Sequence, residues 1–85
     1  MNSLTLLEET FRIARRLGYG IRQEWIGSGG GLCEVRGRRW IFVDLSQSVS
    51  EQLAMMAQIL GRDPRIDQVT MSEALRSYLH SRRAA

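Results

Sequence analysis

The chain has no lysine, and in 85 residues it has one cysteine, one proline and one histidine. Each scarcity excludes something. A single cysteine, Cys33, rules out an internal disulfide and fits a reducing compartment. A metal centre needs about three or four ligands at suitable spacing. One Cys, one distant His and no clustered carboxylates do not supply them, so no metal or cofactor is expected. No apolar run approaches the roughly 20 residues of a membrane span. The opening MNSLTLLEET has no basic stretch ahead of an apolar one, so no signal peptide is expected and the expected location is cytoplasmic. All 12 basic residues are arginine, which stacks and makes bidentate contacts that lysine cannot. The net charge of +3 and pI near 10.0 permit nucleic-acid binding without arguing for it.

What is present reads as one small α+β domain spanning residues 1–85. A chain of this size buries only about 60% of its unfolded surface, so good packing or a partner is needed. Apolar residues make up 44% of it, an ordinary share for a globular domain. Leu7, Phe11 and Ala14 recur at helical spacing, and Leu6, Ile13 and Leu17 widen the stripe, which predicts a helix over 4–17. Thr5 and Glu8 have capping-box spacing, with Asn2 and Ser3 as alternative caps; Gly18 suits the C′ position. Ile21–Ile26 alternates as a strand, and Leu32–Arg36 is a second strand after the glycine run 27–31. A tight turn at Gly37 leads to a third strand over 39–45. Its centre, Trp40-Ile41-Phe42-Val43, is apolar on both faces, so it is expected in the middle of the sheet, covered on both sides or by a partner. Ser48 with Glu51 caps a helix that carries Val49, Leu53, Met56 and Leu60 and stops at Gly61. Pro64 bars continuation. After an extended link over 66–69, Thr70 with Glu73 is expected to cap a third helix lined by Met71, Leu75, Tyr78 and Leu79. The expected order is α-β-β-β-α-α with a mainly antiparallel sheet.

Residues for chemistry are sparse. Cys33 would need a base to act as a nucleophile, and the sole histidine is on another element. It reads as a small core residue, with a reactive thiol as the minor alternative. His80, among polar residues in the last helix, reads as a surface histidine. The run Gly27-Ser28-Gly29-Gly30-Gly31 leads into a strand, and no Lys-Ser or Lys-Thr follows, so it is read as a flexible connection rather than a phosphate loop. Arg36, Arg38 and Arg39 cluster at the hairpin beside Trp40 and are the candidate nucleic-acid or anion contacts; a solvated turn, with Glu34 and Asp44 as pairing partners, is the plainer reading.

The stretch from Trp40 to Arg62 offers a strand ending in an acidic residue, a polar turn, and a helix ending Ala57-Gln58-Ile59-Leu60-Gly61-Arg62. It resembles the core of ImmA/IrrE-type zinc metallopeptidases. In that family the helix reads Ala-His-Glu-Leu-Gly-His, with two zinc-binding histidines and a glutamate base. Gln58 and Arg62 stand at the histidine positions and Ile59 at the glutamate position. The resemblance therefore implies a zincin-like scaffold without its zinc, kept for binding.

The expectation for function is a non-catalytic protein-interaction domain, self-associating or bound to another protein. Its interface candidates are Trp25, Trp40, Met55 and Met56, with Met71 a further one, because Trp and Met suit interfaces. The alternative is a nucleic-acid-binding module that uses the arginine hairpin 36–39.

Overall fold

A computed structural model describes residues 2–83, the side chain of Arg83 excepted. The element order is α-β-β-β-α-α, an α+β arrangement. Helix α1 (Ser3–Arg16) begins at Asn2, whose side-chain oxygen accepts hydrogen bonds from the Thr5 amide at 2.9 Å and the Thr5 hydroxyl at 3.0 Å. The helix ends where Gly18 adopts φ 96°. There the Gly18 amide reaches the Arg15 carbonyl and the Tyr19 amide the Ala14 carbonyl, each at 3.0 Å. This double closure satisfies the last carbonyls and turns Tyr19 back into the core.

Three strands follow: β1 (Gly20–Glu24), β2 (Gly31–Val35) and β3 (Arg38–Asp44). Their spatial order is β1-β3-β2. β2 and β3 form a hairpin through Arg36 and Gly37, with φ values of 53° and 80°. Positive φ at both positions gives the two-residue turn whose twist matches the strands. β1, however, runs parallel to β3, in register from Gly20–Trp40 to Glu24–Asp44. The sheet is therefore mixed, not mainly antiparallel. The reason lies in residues 25–30. They are not a hairpin turn but a strap that carries the chain across the C-terminal end of β3, from one edge of the sheet to the other.

Helix α2 (Val49–Gly61) has the expected capping box. The Ser48 amide donates to Glu51 at 2.9 Å, and the Glu51 amide donates to the Ser48 hydroxyl at 3.1 Å. Residues Ile66–Gln68 make a single 3-10 turn where an extended link was expected. Helix α3 (Glu73–Arg83) is capped by Ser72, not Thr70, and Met71 lies outside it. Glu9 on α1 explains the choice: it accepts hydrogen bonds from both the amide and the hydroxyl of Ser72 at 2.6 Å, fixing that residue at the helix start.

The helices lie on one side of the sheet. On that inner face Ile41 and Val43 are fully buried, in one core with Leu7, Phe11 and Ala14 of α1, Leu53, Met56 and Leu60 of α2, and Leu75 of α3. The outer face carries Arg22 and Glu24 from β1, Cys33 and Val35 from β2, and Trp40 and Phe42 from β3. No described element covers it. The two-sided apolar strand is thus central, as expected, but buried on one side only.

Candidate interaction surface

The outer face is built by strand alternation. Successive side chains point to opposite sides, so the burial of Ile41 and Val43 puts Trp40 and Phe42 outward. Both are half-buried, Val35 is exposed, and a shallow hollow lies between Arg22, Val35, Trp40 and Phe42. The indole of Trp40 lies over Gly20, so closely that a Cβ there would meet the ring. Arg38 stacks on the indole, its guanidinium carbon 4.7 Å from the ring centroid. Arg22 and Glu24 pair with each other at 3.1 Å.

The strap ends this face in a defined shape. The carboxylate of Asp44, fully buried at the end of β3, accepts hydrogen bonds from the amides of Ile26 (3.1 Å), Gly27 (3.0 Å) and Gly29 (2.7 Å). The Ser46 amide and hydroxyl add two more, at 2.9 and 2.7 Å. Burial alone would raise the pKa of this carboxyl. The bonds from Ser46, then Gly29 and Gly27, outweigh it and hold the group well below the usual carboxylate range. Gly27 and Gly29 adopt φ values of 89° and 91°, and Gly30 passes so close to the Phe42 carbonyl that a side chain would strike it. The glycine run is therefore a wrapped loop around an anion, not a loose connection. Trp25, at the start of this pinned strap, is 77% exposed. A tryptophan so exposed on a fixed backbone has the character of an interface anchor.

The other sequence candidates fall in several places. Met56 is fully buried in the core and is not available as an interface residue; its position on the α2 stripe faces α1 and the sheet. Met55 is half-buried and lines a groove with Leu32, Arg39, Gln58, Ile59 and Arg62. Gln58, Ile59 and Arg62 are thus gathered at one place, but an amide, an alkyl group and a guanidinium offer no ligand set. Among the described residues no group of three or more His, Cys, Asp or Glu could hold a metal ion. Cys33 is exposed on the outer face and is not a core residue; the mixed register sends its side chain away from the helices. Its thiol donates to the Glu34 carbonyl at 3.9 Å.

Alternation also separates the hairpin arginines. Arg38 goes outward to Trp40, whereas Arg39 turns inward and stacks 5.1 Å from the ring centroid of Tyr19. Arg36 is exposed in the turn. Asp44, read as a partner for these arginines, is occupied by backbone amides instead. A second buried carboxylate, Asp63, escaped the sequence reading. It accepts from the Tyr19 hydroxyl at 2.8 Å and from Arg65 through its amide (2.9 Å), Nε (3.0 Å) and terminal nitrogen (2.8 Å). The Arg65 guanidinium, against the opposing pull of burial, holds Asp63 well below the usual carboxylate range, and burial followed by the bond to Asp63 pushes the Tyr19 phenol up. Tyr19 and Asp63 are too far apart in sequence for any local pattern to link them. Asp44 did leave a signal: an acidic residue ending a strand two positions before a serine is a common side-chain-to-backbone turn.

No helix among the described residues is long and apolar enough to cross a membrane. No family model matches the sequence, and comparison with curated proteins and with solved structures likewise found no match.

Proposed function

We propose that the chain is a non-catalytic interaction domain that self-associates through the outer face of its sheet. The observation that carries this reading is the half-exposed pair Trp40 and Phe42 on the central strand, with no layer over them. Trp25, exposed on the strap just after β1, is a third aromatic in the open. The side chains at hand support a binding role: the two buried carboxylates are saturated by hydrogen bonds, and the thiol of Cys33 is exposed on the same face.

The occupant is a second copy. A two-fold interface must be complementary to itself, so each surface needs both signs of charge and a shared apolar centre. Here Arg22 and Glu24 supply both signs, flanking Trp40, Phe42 and Val35. Three strands about 4.8 Å apart and about 3.3 Å per residue give a face of roughly 14 by 20 Å. Two such sheets pack face to face at about 10 Å. At roughly 300 Å² per partner, this area is well below the standard size of specific interfaces, so the dimer is expected to be weak, with Kd of about 100 μM.

Sedimentation over a concentration series tests this. Wild type is expected to shift from monomer to dimer, and Val35→Arg to stay monomeric with an unchanged Tm, because Val35 is exposed. A wild type that stays monomeric up to about millimolar concentration, well above this Kd, removes the proposal.

A further inference from the structure

At the opposite end of the sheet from the strap, Arg38 and Arg39 of β3 and Arg65 from the turn after α2 line one cleft. It has a volume of about 190 Å³ and is lined by Leu17, Gly18, Tyr19, Gly37, Arg38, Arg39 and Arg65. Each guanidinium is held in place by something that leaves part of its N–H edge unused. Arg65 is clamped by Asp63 through Nε and one terminal nitrogen, with the Tyr19 hydroxyl beside it. Arg39 lies on the face of Tyr19 and Arg38 on the face of Trp40. Stacking on a ring fixes the plane of a guanidinium without using its donors.

The floor of the cleft is rigid. Tyr19 and Asp63 are buried and bonded to each other, and the Asp63 side chain is 1% exposed. Asp63 already accepts from Tyr19 and Arg65, so it does not neutralise the other two arginines. Glu34 stands opposite Arg39 in the strand register, but it is exposed and does not line the cleft. The backbone amides of Leu17, Gly18 and Tyr19 are all engaged in closing α1. Donors for a ligand therefore come from the arginines, and every one of them is cationic.

We propose that this cleft binds a phosphate group through Arg38 and Arg39, with Arg65 held ready by Asp63 as the third donor. Planar, pre-oriented guanidiniums match the oxygens of a phosphate in pairs. The group could be carried by a small phosphorylated molecule or by a polynucleotide backbone, and the experiment separates the two. Arg38 borders the dimer face through its stack on Trp40, whereas the inward-facing Arg39 tests the site without touching that face.

The test is a titration of isotope-labelled protein, followed by amide shifts, at low ionic strength. Inorganic phosphate is the first probe, with chloride at matched ionic strength as the control. Saturable shifts are expected at Gly18, Tyr19, Gly37 and Arg38 with phosphate and not with chloride. Arg39→Gln and Arg38→Gln are each expected to weaken binding about tenfold, with the remaining amides unmoved. A nucleoside monophosphate and a single-stranded oligonucleotide then identify the source. Equal affinity for the two marks a small phosphorylated ligand. A much tighter oligonucleotide, whose affinity falls steeply with salt, marks a nucleic-acid backbone. Shifts scattered over the surface, shifts that chloride reproduces, or full binding by both Gln variants would each overturn the proposal.

Discussion

The two faces of β3 use the same kinds of residue for opposite ends. Inward, Ile41 and Val43 have no exposed surface. Outward, Trp40 and Phe42 are larger and keep part of theirs open. A domain of this size can close one layer of helices over a sheet, and all three helices went to one side. What remains is an apolar strand face without a layer of its own, and this is the face proposed to meet a second copy.

The sharpest way to break this comparison is to truncate on both sides. Ile41→Ala is expected to cost about 3–4 kcal/mol, from lost burial plus the cavity left behind. Phe42→Ala should cost less, about 2 kcal/mol, since part of the ring is already in water, and it should weaken the dimer. Denaturant unfolding of each variant measures the difference. Equal losses would mean that the outer face is as much a part of the core as the inner one.

A second test asks whether the strap is as built as the sheet. Gly30→Ala places a methyl group against the Phe42 carbonyl, so the backbone must move, at a cost of about 2 kcal/mol or more. Gly31→Ala meets nothing within 4 Å, and it should stay within about 0.5 kcal/mol of wild type. Similar melting temperatures for the two would return the glycine run to the status of a flexible link.

The third concerns the two buried carboxylates, one at each end of the sheet. Both have folded pKa values below the ordinary one of about 3.9. The unfolded chain therefore takes up protons first as the pH falls. The stability these groups contribute is complete above about pH 5 and drains away below about pH 4. Asp44→Asn and Asp63→Asn should each lower Tm at pH 7 and flatten the fall of Tm between pH 5 and pH 2. Parallel Tm–pH curves for wild type and variants would show that neither carboxylate drives acid unfolding. The smallest effect is at the hairpin. Arg36 holds a left-handed φ that ordinary side chains disfavour, so Arg36→Asn, which creates Asn-Gly, should raise Tm by about 2–4 °C. A lower Tm would mean that the arginine makes contacts of its own.

Much of this fold was legible in periodicity. The helical stripes on 4–17 and 49–61, the Ser48–Glu51 box and the turn at Gly37 are local, and local patterns report themselves. The parallel pairing of β1 was not legible. Nothing in Ile21–Ile26 says which neighbour it takes, and the glycine run that decides it reads as slack until the Asp44 carboxylate is seen inside it. The surfaces divide in the same way. Trp25, Trp40 and the hairpin arginines were visible as residue types. Cys33 and Met56 changed places, one coming out to the surface and one going into the core, because inside and outside depend on where the helices lie. The Tyr19–Asp63–Arg65 cluster depended on three turns at once and left no local trace.

The register of β1 has a consequence for the order of assembly. Every backbone pairing it makes is with Trp40 through Asp44. A chain leaving the ribosome as far as Gly37 holds a first helix and two strands with nothing to hydrogen-bond between them. Once β3 arrives, the hairpin with β2 can close at once across two residues, while β1 must be drawn in from a greater distance. Pairing in the sheet waits on its middle strand, which is the last of the three in the chain.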